Sequence, residues 1–256
     1  MKTMETVTKL ASCEFAIRPF ILKYNELTIT QLEKWADHEN HHIRRLASEG
    51  CRPRLPWAMA LPPLKKDPTP ILPILESLKN DPSEYVRRSV ANNINDIAKD
   101  NPEMVIEIAK KWKGISKEVD WVIKHGSRTL LKQGHPEILK YYGLGHEGLE
   151  VSDFTIQTPK VAIGEYLEFL FKIKNTDTKP RTIRLEYGLY YLKKNGNQNR
   201  KVFKISEREL TAGEEILIER KQSFKVITTR VFHKGEHRLS IIVNGVEKEE
   251  LSFELS

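Results

Sequence analysis

The chain has 256 residues, with 42 Lys and Arg against 35 Asp and Glu, a formal charge of +7 and a pI near 9.2, a balance that favours an anionic partner. Cys13 and Cys51 are too few for a disulfide framework, the opening MKTMETVTKL has no apolar core for export, and no apolar run approaches a membrane span. The expectation is a protein of the reducing cytoplasm, long enough for two domains and most simply a monomer.

In chain order, Thr30 to His38 (TQLEKWADH) reads as a helix ended by a polar cluster, followed by Ile43 to Gly50, where Ile43 and Ala47 are apolar and Arg45 and Glu49 share the other face four residues apart. Pro70 to Asn80 and Pro102 to Lys113 read as further helices, with Pro70, Pro82 and Pro102 at first-turn positions where a missing N–H costs nothing. Pro82 to Asp100 is the most informative helix. At about 100° per residue, Val86, Val90, Ile94 and Ile97 fall within about 80° of arc, while Arg88, Asn92 and Asp96 lie opposite them. Val119 to Gly134 repeats the layout, with a seam of Val119, Val122, Gly126 and Leu130 and polar positions at Lys124 and Arg128.

Ile43, Val86 and Val122 lie 43 and then 36 residues apart, the period of a helical-pair repeat of the HEAT class. The expected architecture is an α-solenoid in which the second helix of each pair faces one groove and presents an outward polar stripe. Trp35 and Trp112, near the ends of corresponding helices, are assigned to packing between layers.

After Tyr142 the pattern changes. GLGHEGLE, with Gly143, Gly145 and Gly148, is expected to be a flexible joint, and beyond it the period falls from 3.6 to 2. Leu167 to Lys174, Thr182 to Leu192, Lys201 to Ile205, Glu215 to Glu219, His237 to Val243 and Glu249 to Leu255 read as strands, and Asn195-Gly196 and Asn244-Gly245 as hairpin turns. About seven strands in this length predict an immunoglobulin-like β-sandwich without the Cys and Trp marks of an antibody domain. The domains are therefore set at 1–144 (helical repeats), 145–150 (linker) and 151–256 (sandwich).

The strings EFAIRPF (14–20), HHIRRLASEGCRPRLPWA (41–58), DPSEYVRRSVANNINDIAKD (81–100) and DWVIKHGSRTLLKQG (120–134) resemble the AlkC-type DNA alkylation repair proteins, HEAT-like DNA glycosylases, some of which carry a C-terminal immunoglobulin-like domain. The resemblance covers almost all of residues 12 to 144. It departs at the front, where the family has roughly another hundred residues of helical repeats and this chain has MKTMETVTKLASC, so Glu14 is expected on a terminal helix. The resemblance implies active-site carboxylates at Glu14, Glu49 and Asp96, no metal or organic cofactor, alkylated duplex DNA as partner, and 3-methyladenine as substrate. A base alkylated on a ring nitrogen is a cationic leaving group, so its excision needs help chiefly for the oxocarbenium-like sugar, which a fixed carboxylate supplies.

Arg45, Arg88, Asn92, Lys124 and Arg128 are expected to meet DNA phosphates, with Arg45 and Arg88 also holding the acids ionised. Trp57, between Pro53 and Pro56, is a candidate for stacking on a base or sugar, with core packing as the alternative. His38-Glu39-Asn40-His41-His42 spells a zinc-protease motif, but it straddles the junction of two antiparallel helices, and Ser48 stands where a third ligand belongs. Asp120 is assigned to the start of its helix. The competing function class is a non-catalytic HEAT scaffold for DNA or an acidic protein.

Overall fold

The computed structural model describes every residue except Ile227, Thr229 and Arg230. It divides into two compact units, Met1–Leu131 and Lys132–Ser256. The first is helical, with α1 (Lys2–Val7), α2 (Arg18–Lys23), α3 (Asn25–Ala36), α4 (His41–Gly50), α5 (Pro62–Lys66), α6 (Leu72–Leu78), α7 (Glu84–Ile97), α8 (Pro102–Trp112), α9 (Lys117–Gly126) and α10 (Arg128–Gln133), the last crossing the division.

Helix α7 packs between α4 and α9, as the repeated seams require. Ile43, Val86, Val90, Ile94, Ile97, Val119, Val122 and Leu130 are all fully or almost fully buried, each worth roughly 1.5–3 kcal/mol of apolar transfer. Trp35 and Trp112 are core residues. Each indole N–H donates to a carboxylate, Trp35 to Glu5 at 2.9 Å and Trp112 to Glu76 at 2.7 Å, which satisfies the one polar atom that burial would strand.

The predicted helix at Val119 to Gly134 is in fact two, broken at Ser127. The backbone bond that would continue it, Thr129 N–H to the His125 carbonyl, is replaced on both sides. Thr129 N–H instead donates to Asn95 Oδ1 at 3.2 Å, and the His125 carbonyl accepts from Arg128 Nη1 at 2.6 Å. Side chains inserted into the ladder bend the helix here and anchor it to α7. Helix α3 begins at Asn25, five residues before its predicted start, and α7 starts at Glu84, after the Ser83 N-cap position rather than at Pro82.

In the second unit, α11 (Pro136–Tyr141) precedes β1 (Leu149–Ile156), β2 (Lys160–Val161), β3 (Tyr166–Asn175), β4 (Arg181–Leu192), β5 (Gln198–Leu210), β6 (Glu215–Ser223), β7 (Gly235–Val243) and β8 (Val246–Leu255). One sheet has the order β1-β3-β6 and the other β2-β8-β7-β4-β5, and among the described residues only β2 and β8 pair in parallel. Alternate residues of β3, Leu167, Phe169, Phe171 and Ile173, are buried in one core with Leu185 and Leu189 of β4 and Leu239 and Ile241 of β7. This is the expected immunoglobulin-like sandwich. The Asn244-Gly245 turn has φ of 49° and 77°, the left-handed pair that a two-residue hairpin requires.

Strand β1 begins at Leu149, inside the predicted linker, and residues 132 to 144 group with the sandwich unit. The glycine-rich segment is tied down, because Gly145 O accepts from Asn244 Nδ2 and Gly148 O from Thr176 N–H. Among the described residues, no helix is long and apolar enough to cross a membrane.

Gly126 lets the end of α9 lie tight against Ile94 of α7. A Cβ there would lie 2.6 Å from Ile94 Cγ2 and 2.9 Å from Ile94 Cβ. Gly126→Ala should therefore destabilise the helical unit by about 1–3 kcal/mol, although alanine alone favours a helix interior by about 1 kcal/mol. A thermal melt in which the variant equals or exceeds the wild type would show that the two helices are not held at this spacing.

Candidate active site

The polar stripe on α7 sinks into the protein along its length, with Arg88 exposed, Asn92 half-buried and Asp96 buried at 1% exposure. Glu49 on α4 is likewise buried, at 5%. This corrects the expectation of an outward acidic face. Both carboxylates turn toward Arg52, a residue the helical pattern does not single out, because it lies just past the end of α4.

Arg52 bridges them. Its Nε donates to Asp96 Oδ2 at 2.9 Å and its Nη1 to Glu49 Oε1 at 2.7 Å. Burial alone would lower the Arg52 pKa, but the charges of Glu49 and then Asp96, with their hydrogen bonds, outweigh it and raise the pKa above the usual arginine value. Removing one partner of such a buried pair costs more than the pair contributes, since it leaves a charge without compensation.

Around this core the remaining lone pairs are filled. Glu49 Oε2 accepts from Ser89 Oγ at 2.7 Å, and Ser89 Oγ shares a 2.6 Å bond with Ser48 Oγ. Glu49 Oε1 also lies 3.5 Å from Arg45 Nη2. Asp96 Oδ1 has Lys99 Nζ at 3.2 Å, on a side chain that is 39% exposed. Asn93 Nδ2 donates to Ser48 O at 2.9 Å, so α4 and α7 are pinned to each other beside the acids.

Glu14 does not lie on a helix. It stands in the turn before α2 and is held by Arg45 Nη1 at 3.2 Å, which also donates to Ser12 Oγ at 3.0 Å. Arg18, four residues on, is fully buried in another role. Its Nε donates to Met59 O at 2.6 Å, and its Nη1 to Gly50 O at 3.0 Å and Arg52 O at 2.9 Å. Arg18 thus satisfies a carbonyl at the end of α4 and fixes the backbone that carries Arg52. Burial lowers its pKa.

The other expected site residues fall into two groups. Arg88 pairs with Glu84 at 2.6 Å on the surface, not with Asp96, because its place one turn from the start of α7 keeps it in solvent. Asn92 Oδ1 accepts from Arg128 Nη2 at 3.0 Å, and Arg128, its pKa lowered by burial, feels the charge of Asp96. Lys124 is exposed on α9. Arg45 lies against the Tyr85 ring, 4.5 Å from its centroid.

Trp57 is 98% exposed, which removes core packing as its role. Its φ of 61° places it in the left-handed region, uncommon for a bulky residue. The segment carrying it is firmly held, with Leu55 and Leu61 buried, Leu61 N–H bonded to Pro53 O, and Arg54 paired with Asp100 through bonds of 2.7 and 2.6 Å. His38 to His42 spans the break between α3 and α4, with Asn40 as N-cap, so the five residues never share a helix. Asp120 Oδ1 accepts from Gly114 N–H at the entry to α9.

An N-terminal helical array with buried, arginine-paired carboxylates, followed by an immunoglobulin-like sandwich, defines a class. Residues 6–131 match the family described as DNA alkylation repair enzyme, and residues 150–256 the family described as the C-terminal Ig-like domain of uncharacterised protein YhaZ. The chain belongs to the AlkC-like family of DNA alkylation repair enzymes. It is 45% identical over its whole length to the uncharacterised protein YhaZ of Bacillus subtilis strain 168, of which it covers 71%. It is also similar to the Pseudomonas fluorescens alkylpurine DNA glycosylase AlkC, solved bound to DNA containing an abasic site analog. That match has 36% identity and a TM-score of 0.96 over all of this chain and 71% of the other.

Helix α9 carries a titratable group of its own. The Trp121 ring stacks on His125 with centroids 5.0 Å apart, and burial, then Arg128 and Arg88, depress the imidazole to about pKa 4. The unfolded chain binds this proton near pH 6.5 and the folded chain only near 4. Stability of the helical unit is therefore lost as pH falls through that window, by on the order of 1–2 kcal/mol once solvent screening of a half-buried ring is allowed for. His125→Gln should flatten this part of the profile. Urea titrations at pH 7 and 4.5 followed by tryptophan fluorescence read the helical unit alone, since all four tryptophans lie in it. Equal acid losses in both proteins would exclude His125 as the source.

Proposed function

We propose that the chain is a DNA glycosylase that binds alkylated duplex DNA along the α4–α7–α9 face and hydrolyses the N-glycosidic bond of small cationic bases, 3-methyladenine foremost. The observation that carries this reading is a pair of carboxylates, Glu49 and Asp96, buried yet both engaged by one guanidinium. Such a site holds negative charge in a place from which water is largely excluded, where a developing sugar cation gains most from it. The abasic DNA bound by the P. fluorescens relative is the kind of product this reaction leaves.

In the proposed reaction the electrons of the bond between the base nitrogen and C1′ pass to the cationic base, which leaves neutral. Asp96 faces the oxocarbenium-like sugar, and water adds at C1′ as its proton passes to a carboxylate. Asp96 suits this role because, among the described residues, its Oδ1 is met by Lys99 alone, at 3.2 Å on a side chain 39% exposed, whereas Glu49 accepts from Arg52 and Ser89 and has Arg45 beside it. Glu14, held through Arg45, is the third acid. Arg88, Lys124, Arg128 and Arg45 meet phosphates, Asn92 positions Arg128, and Trp57 stacks on a base or sugar at the lesion. The chemistry calls for no metal or organic cofactor, and the protein acts as a monomer in the cytosol with the sandwich helping to hold the duplex.

Asp96→Asn should keep the fold and most DNA affinity while slowing single-turnover release of 3-methyladenine by roughly a hundredfold or more, the size of an electrostatic contribution of about 3–4 kcal/mol. An active wild type matched by an equally fast variant would remove Asp96 from the mechanism.

Arg88→Ala combined with Lys124→Ala should lower the slope of log affinity against log salt by up to about two, one for each phosphate that no longer meets a cation. An unchanged slope and affinity in a duplex-binding titration would mean that this face does not meet the backbone.

A further inference from the structure

We propose that Arg52 is a positioning residue that couples Glu49 and Asp96 into one acidic unit and sets where the Asp96 carboxylate stands relative to the sugar. The inference rests on the glycosylase reading above and adds a residue that neither the helical pattern nor the expected site includes.

The geometry is specific to arginine. Two different nitrogens of one planar group reach carboxylates on two different helices, Nε to Asp96 on α7 and Nη1 to Glu49 on α4. A lysine ammonium at the same place is a point charge on a flexible stem and does not fix both directions. The guanidinium is in turn anchored at both ends. Arg18 Nη1 binds the Arg52 and Gly50 carbonyls, so the main chain at Arg52 cannot drift from the end of α4. Glu49 is locked by Ser89 on its outer oxygen, and Ser89 by Ser48.

Asp96, by contrast, accepts at Oδ2 from Arg52 and, among the described residues, at Oδ1 from Lys99 alone. Among the described residues, the side-chain hydrogen bonds that aim its carboxylate come from the Arg52 guanidinium and from Lys99, whose side chain is 39% exposed. An acid misplaced by about 1 Å loses much of its effect on a transition state, on the order of a hundredfold. Arg52 therefore contributes to the chemical step without touching the substrate, and its loss should appear in the rate at saturating DNA rather than in affinity.

The test uses the full chain and a methylated duplex under single-turnover conditions. Arg52→Ala and Arg52→Lys should each slow base release at saturating protein by at least about tenfold, while affinity for a duplex with an abasic-site analogue stays within about threefold of wild type. Methylguanidinium should restore part of the Arg52→Ala rate and methylammonium should not. In an Asp96→Asn background, Arg52→Ala should add less than about a twofold loss, because the group that Arg52 positions has already lost its charge.

If Arg52→Ala proves too unstable to assay, Arg52→Lys, which keeps the buried charge, decides the matter by itself. A wild-type rate in Arg52→Lys would show that charge without direction suffices, and would overturn the proposal. Equal proportional losses in the wild-type and Asp96→Asn backgrounds would overturn it too. A wild-type chain that releases no base would strike down the glycosylase reading and this proposal together, whereas an active wild type with an equally active Arg52→Ala would strike down this proposal alone.

Discussion

Taking two carboxylates out of water is costly, and in the helical unit one guanidinium engages both. Glu49 and Asp96 come from α4 and α7, and Arg52 stands between them and pairs with both. Much of the local structure answers to this requirement. Arg18 gives up any surface role to hold the backbone at the end of α4, Ser48 and Ser89 close the lone pairs on the far side of Glu49, and Asn93 fixes the two helices at the needed spacing. The apolar seams make α4, α7 and α9 adjacent, while the polar links decide their register.

Helix α7 serves as the central strut. Toward α4 it sends Ser89 and Asn93, and toward the next repeat it sends Asn92 and Asn95, the latter breaking the following helix at Ser127 by capturing the Thr129 amide. Buried polar groups of this kind stabilise only when each finds its partner. Here Ser89, Asn92, Asn93 and Asn95 find partners across repeat boundaries, so Arg128 and Asp96 are placed by contacts of the same helix.

The apolar periodicity made the repeats, their order and the change to a sandwich legible in the sequence, because the seam residues Val86, Val90, Ile94 and Ile97 follow a period that burial imposes. The resemblance pointed to Glu14, Glu49 and Asp96 as a set. Neither reading revealed Arg52 or Arg18. Arg52 lies three residues beyond Glu49, past the end of α4, where helical spacing no longer says which way a side chain points, and the partners of Arg18 are carbonyls 32 to 41 residues away. A helical wheel also treats every polar residue as outward, which placed Asp96 in solvent and paired Arg88 with the wrong acid. Burial of a charge depends on what a distant segment supplies, and one helix does not contain that information. The break at Ser127 escaped for the same reason, since the side chain that causes it belongs to Asn95.

Trp57 sits on a rigid mount. Its indole stands almost wholly in water while Leu55, Leu61, Arg54 and the Arg18–Met59 bond hold the segment around it, so the chain has already surrendered the backbone freedom that a flexible loop would lose on binding. Whatever surface covers this ring, little ordering opposes the encounter. Dehydration of the indole should then dominate its calorimetric signature, as a negative heat-capacity change with a small entropic penalty.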